Sequence, residues 1–349
     1  MKRALLLLAL LLIALLLGAA LLPAADAPRI ANMPAAVSGN AVASLKGGLE
    51  LFSIMGMGPR KTWDDITNRV YIFSLTTGKW RDGRPVPGVA GRLGAAAIGV
   101  RGKVFLFGGY VVDGQGAQLT VSDVSAYVPD DHKWYRGADI PVPVDNSVIG
   151  VDRDRFIYLV GGRSKNGPVN NVQVYDAQKN VWSAGTPFPG TPVFGHAGGL
   201  AEDAIVLIDG AKKNTGAGAP YVASNECWIG KIDHKDPNKI EWSKLPPHPG
   251  QARFGIASGA EGHKIHFSGG SASPHDFKGI GYDGQPADVS TVSFLYDLRA
   301  NQWVTVDEKT VDPRMDCGGI LSTPAGLVVL GGMTKGQTAT AQATLFARK

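Results

Sequence analysis

The sequence predicts an all-β fold, a closed ring of six four-stranded antiparallel sheets, and two observations predict it. The first is a repeat. A strand of branched and aromatic residues ending in glycine recurs six times, and five copies are followed by a Trp about twenty to thirty residues on. The copies read Leu51-Phe52-Ser53-Ile54-Met55-Gly56, Val104-Phe105-Leu106-Phe107-Gly108-Gly109, Phe156-Ile157-Tyr158-Leu159-Val160-Gly161-Gly162, Ile205-Val206-Leu207-Ile208-Asp209-Gly210, Ile265-His266-Phe267-Ser268-Gly269-Gly270 and Leu327-Val328-Val329-Leu330-Gly331-Gly332. A period of roughly 50 residues is expected when each repeat is one sheet that buries its faces only against its neighbours. The second is composition: 46 glycines, 19% charged residues and no long helical periodicity fit short strands and tight turns. One β-propeller domain over 26–349 is expected, behind a signal peptide at 1–25.

Blade two shows the scheme most fully, with strands expected at 94–100, 103–107 and 124–127 and an outer strand carrying Trp134. Arg101-Gly102 forms the hairpin between its first two strands, where glycine accepts the positive φ such turns need. Blade three repeats the scheme with Tyr175-Asp176 and Trp182, and blade five with Tyr296-Asp297 and Trp303. The sixth unit ends after a third strand at 340–347, with no Trp. Its missing piece lies at the other end of the chain: Ile30-Ala31-Asn32-Met33-Pro34 matches Ala138-Asp139-Ile140-Pro141, the segment that ends blade two. The N-terminus therefore supplies the outer strand of blade six and hides two open edges.

Met1-Lys2-Arg3 and the apolar run at 4–17 read as a secretory signal cleaved after Ala20 or Ala25. The apolar stretch reaches Leu22, near the lower limit for a bilayer span, so a signal-anchor is the alternative, and the only route to a membrane association. Either outcome places the body outside the cytoplasm, periplasmic or secreted. A net charge of +5 without a Lys/Arg-rich run argues against a nucleic-acid partner. Cys227 and Cys317 fall in non-adjacent repeats and read as buried thiols. No zinc, phosphate-loop or nucleophile-elbow motif occurs, and no metal or cofactor is expected.

The entrance to an axial channel is built from the starts of the innermost strands and from long connecting loops. Alignment on the glycines puts Asn40, Arg92, Asn146, His196, Arg253 and Arg314 near those starts, with Asp145 and Asp316 beside them. Arginine forks suit a carboxylate-bearing ligand such as a sugar acid, so Arg92, Asn146, Arg253 and Arg314 are candidate substrate-binding residues. His196 is the candidate for proton transfer, with Glu226 or Asp316 as its carboxylate partner. Long insertions stand at 212–225 in blade four and 271–287 in blade five. His275, Asp276, Phe277, Tyr282 and Asp283 mark the second as an ordered, ligand-facing loop, with Tyr282 a binding candidate.

With its repeats, signal segment, six-blade count and long fifth-blade insertion, the chain resembles secreted bacterial kelch proteins, nearest the periplasmic sialic-acid mutarotases (N-acetylneuraminate epimerases). That resemblance implies mutarotation or epimerisation of a sialic-acid-like sugar, by an acidic residue just after the fourth blade's glycine and an Arg soon after it. Here Asp209-Gly210 is followed by Ala211, Lys212 and Lys213, with no Arg in the loop, and Glu226 is the nearest alternative carboxylate. A resemblance to galactose oxidase would need a copper site of two Tyr and two His with a Tyr–Cys cross-link; neither cysteine stands in such a set. A glycan-binding propeller without turnover and a protein-interaction scaffold are the alternatives to an isomerase, since fold alone does not fix function.

Overall fold

A computed structural model describes residues 30–88, 91–306 and 313–347 of the 349. The signal segment lies outside the described residues, among which no helix is long and apolar enough to cross a membrane.

Five blades are four-stranded antiparallel sheets. Blade one pairs Ala41–Leu45, Glu50–Ile54, Val70–Ser74 and Lys79–Asp82 in order, and blade two pairs Ala96–Val100, Lys103–Phe107, Val124–Val128 and Lys133–Arg136. Blades three, four and five repeat this from Val148–Asp152, Ala197–Ala201 and Ala257–Glu261 outward. The expected six-bladed all-β architecture is what the chain adopts. Arg101 and Gly102 form the predicted hairpin, at φ 50° and 74°.

Among the described residues blade six has three strands, Ile320–Thr323, Gly326–Leu330 and Ala343–Ala347. The N-terminal segment joins it: the Met33 amide donates to the Ala341 carbonyl at 2.7 Å, and Val37 bridges Thr340. The same geometry follows the outer strand of blade two, where the Ile140 amide donates to the Ser122 carbonyl. Residues 30–33 form no strand, unlike the expectation, and occupy the position just after an outer strand; the residues before Ile30 lie outside the described ones.

The blade tryptophans stitch neighbours together. Each indole N–H donates to a carbonyl just past the preceding blade's outer strand: Trp134 to Arg84, Trp182 to Ala138, Trp242 to Thr186 and Trp303 to Pro246. Beneath them the seams are apolar, with Tyr175 of blade three edge-on to Phe105 and Phe107 of blade two. A blade has no core of its own, so these seams are the hydrophobic core. Cys227 and Cys317 are buried there and form no disulfide.

Candidate functional site

Six residues open the innermost strands at the channel mouth, one per blade: Gly39, Gly94, Asn146, Gly195, Gly255 and Asp316. All have φ between 51° and 65°, a left-handed conformation that glycine adopts freely and Asn and Asp tolerate. Their backbones form a belt. The amides of Asn146, Gly195, Gly255, Asp316 and Gly39 donate in turn to the carbonyls of Gly94, Asn146, Gly195, Gly255 and Asp316, at 2.8–3.1 Å. Only Asn146 and Asp316 carry side chains at this level. Neighbouring glycines make their room: a Cβ on Gly94 would lie 2.8 Å from Asn146 Nδ2, and one on Gly255 2.6 Å from Asp316 Oδ1.

The channel holds a cavity of about 410 Å³ whose wall includes Asn146, Arg163, His196, His275, Tyr282 and Asp316. That volume falls within the range of small-molecule sites. Arg163 follows the Gly161-Gly162 pair directly and was not among the sequence candidates. The equivalent position elsewhere holds Met57, Tyr110, Ala211, Ser271 or Met333, so the residue after the paired glycines was the signal that could have found it. Its Nε donates to Asp145 at 3.3 Å and its Nη2 to Gln118 at 2.6 Å. Its guanidinium lies 5.1 and 5.3 Å from the ring centres of Tyr110 and Phe194, a cation–π sandwich that fixes the fork. Burial lowers the guanidinium's pKa, but the charge of Asp145 and the electron-rich oxygens of Tyr282 and Tyr110 outweigh it, and Arg163 stays charged. Asp145 is fully buried; burial pushes its carboxyl up, against the pull of Arg163, Thr120 and Asn146.

The loop at 271–287 roofs this mouth. Its Tyr282 packs against Tyr221 of the blade-four insertion, ring centres 4.9 Å apart, and near Phe194; burial pushes its phenol up to about 12, so the hydroxyl keeps its proton. Phe277 joins Met57, Leu93 and Tyr110 of blades one and two. His275 stands edge-on to Phe254, with Nδ1 2.8 Å from the Ser273 carbonyl and Nε2 3.0 Å from Asp316 Oδ2. Acceptors at both nitrogens favour the imidazolium. Burial opposes the proton, yet the charge and hydrogen bond of Asp316, with Ser273 and Asp276, overcome it and raise the His275 pKa.

Several sequence expectations are corrected. Arg92, Arg253 and Arg314 do not reach the mouth; each is 1% exposed. They stand two residues before the belt, with side chains directed into the sheet. Arg253 Nη1 donates to the Gly269 and Val292 carbonyls and Arg314 Nη1 to those of Gly331 and Gln342. Arg92 lies 3.9 Å from Asp123. Arg253 and Arg314 thus tie the innermost strand to the glycine turn of their own blade. His196 does line the channel, but its ring is buried, neither nitrogen has a well-formed hydrogen bond, and burial, only partly offset by the Val160 carbonyl, lowers its pKa to about 4. It is neutral near pH 7, so it offers no imidazolium as a general acid. Glu226 lies off the channel, on a much smaller cavity behind His196. Burial raises its pKa, but donors from Thr191 and Trp228 outweigh that and keep it ionised.

Sequence reasoning also missed His248, whose Nε2 lies 2.7 Å from Asp209 Oδ1 in a fully buried pair. Among the described residues, no three His, Cys, Asp or Glu side chains converge in a way that could hold a metal ion.

N-acetylneuraminate epimerase 1 of Escherichia coli is 26% identical over 286 residues, spanning 69% of this chain and 72% of that protein. Kelch-like protein 38 of Rattus norvegicus is 31% identical over 133 residues, 38% of this chain but only 22% of that protein. The solved structure of YjhT shares the fold, with a TM-score of 0.73 over 92% of this chain and 97% of that one at 18% identity. The family described as the KLHDC2/KLHL20/DRC7 kelch-repeats domain matches residues 47–270, more than half of the chain. With six blades, paired glycines and interblade tryptophans, the protein belongs to the kelch-repeat propellers.

Proposed function

We propose that the roofed mouth binds a carbohydrate bearing a carboxylate and interconverts the anomers of a sialic-acid-like sugar. One observation carries this reading: Arg163 is a guanidinium held rigid on the channel wall by Asp145, Gln118 and two aromatic rings. Its Nη1 is left without a protein partner among the described residues. Such a fork suits a carboxylate, and the aromatic wall beside it suits the apolar face of a sugar ring. The similarity to the Escherichia coli epimerase supports the same substrate class. The basic and apolar N-terminus supports an extracytoplasmic setting.

Mutarotation requires a base at the anomeric hydroxyl and an acid at the ring oxygen. Asp316, held in place by His275, takes the hydroxyl proton as the bond from the anomeric carbon to the ring oxygen breaks and delivers a proton to that oxygen, the two atoms being on one carbon and within reach of one carboxyl group. The open-chain carbonyl form turns about the adjacent carbon–carbon bond, and the steps reverse on the other face. NMR exchange spectroscopy of N-acetylneuraminate anomers, with and without the protein, tests this. An unchanged exchange rate alongside binding would support a glycan-binding propeller, a reading favoured by the engagement of both His275 nitrogens within the protein. Neither binding nor exchange would leave a protein-interaction scaffold.

A further inference from the structure

We propose that residues 272–287 of the blade-five loop form a detachable flap over the channel and that Lys61, from blade one, is its latch. The inference rests on the mouth being the ligand site and adds how that site is reached.

The corresponding connections in blades two, three, four and six are two-stranded ribbons, such as Tyr110–Val112 with Gln118–Thr120. Beyond the bridge of Ser271 to Phe254 at its base, the described residues of the blade-five loop have only the isolated bridges His275 to Gly281 and Ile280 to Pro286. Among the described residues, every backbone–backbone hydrogen bond of 272–287 stays inside the loop, including those linking Asp276 with Ile280, Gly281 with Gln285 and Ala287 with Gly279. A segment bonded to itself and to no neighbouring backbone keeps its shape when it moves, as compact surface loops do. At its base Ser271 is held by two backbone bonds to Phe254, so the movable part begins at residue 272.

Side chains hold the flap down. Lys61 Nζ donates to the Lys278 carbonyl at 3.1 Å and to the Gln337 carbonyl of the blade-six arm at 2.7 Å. Gln337 Nε2 donates to the Ala287 carbonyl at 2.9 Å. His275 pairs with Asp316, and Phe277 lies against Met57 and Leu93. Lys61 thus joins blade one, the flap and blade six through one flexible side chain at the flap's far edge.

Ser147 lines the channel under the flap and is half-buried, so Ser147→Cys installs a reporter thiol. It is carried in a Cys317→Ser background because Cys317 lines the same channel. Labelling with a small methanethiosulfonate reagent is followed site by site by mass spectrometry, with buried Cys227 of blade four reporting global opening. Lys61→Met removes two charge-assisted bonds, and the reporter should then label about tenfold faster while Cys227 does not. Gln337→Ala should act in the same direction, more weakly. An unchanged reporter rate in both variants would overturn the proposal, as would an equal rise at Cys227, which would mean loosening of the whole ring. No sugar enters this test, so its failure leaves the sugar reading standing, and the converse also holds.

Discussion

The Trp80 indole N–H donates to the Ala31 carbonyl at 2.7 Å, the bond each later blade Trp makes to the blade before it. Ala31 therefore stands where blade six presents its carbonyl to blade one. The N-terminal segment is a working part of the ring.

Removing residues 30–37 withdraws buried Met33 and Val37 and leaves the Trp80 indole and the Ala341 carbonyl unpaired. Two buried side chains and the lost hydrogen bonds together predict a loss of about 5 kcal/mol. Trp80→Phe should cost about 1 kcal/mol. Urea unfolding of both variants measures this, and parental stability of the deletion would refute the closure.

Arg163 and the buried arginines should part company. Arg163→Lys, which keeps a charge beside the buried Asp145 but loses the planar fork, should leave the melting temperature within a few degrees of parent and weaken N-acetylneuraminate binding about tenfold or more. Arg253→Met and Arg314→Met should destabilise the fold by about 2 kcal/mol or more, because buried carbonyls lose their donors. Calorimetric titration beside thermal melts separates the two classes.

The His275–Asp316 pair predicts a stability that falls as pH rises. The folded pKa of His275 is raised, so its contribution is complete below the unfolded value of about 6.5 and is lost as pH climbs through the folded one. His275→Gln should remove that loss. Parallel melts between pH 5 and pH 9 test it, and identical slopes in the two proteins would count against the imidazolium.

His196 predicts the opposite slope. Its pKa of about 4 means that the unfolded chain binds the proton first as pH falls below about 6.5, withdrawing up to about 3 kcal/mol by pH 4. His196→Leu should flatten this acid loss. The same variant should retain anomer exchange near pH 7, since the buried ring is not the imidazolium acid and Asp316 serves as the base; a large fall in rate would restore His196 to catalysis.

The Gly-Gly strands and Trp spacing made the blades legible, because each blade is a contiguous stretch whose strands pair with the next in sequence. Ring closure was legible for a similar reason: Ile30-Ala31-Asn32-Met33-Pro34 repeats a local motif. The site was legible only in part. Asn146, His196 and Asp316 lie on the channel wall as the alignment implied, and Tyr282 as the loop's composition did. Arg92, Arg253 and Arg314 aligned equally well, yet a two-residue offset from the left-handed belt turned them into the sheet. Strand position was readable from one repeat; side-chain direction was not.

By itself the sequence determined the repeat, the strand order and the length of the fifth-blade loop, all properties of neighbouring residues. Only the tertiary structure decided that Arg163 of blade three, His275 of the loop and Asp316 of blade six share one cavity, and that Lys61 reaches the loop's far edge. Those residues come from four separate repeats, and they meet because a ring of sheets brings every innermost strand to one axis. Burial there then shifts the titrations, lowering the His196 pKa and, with Asp316 opposing it, raising that of His275, a balance of desolvation against neighbouring charge that exists only once the channel is closed.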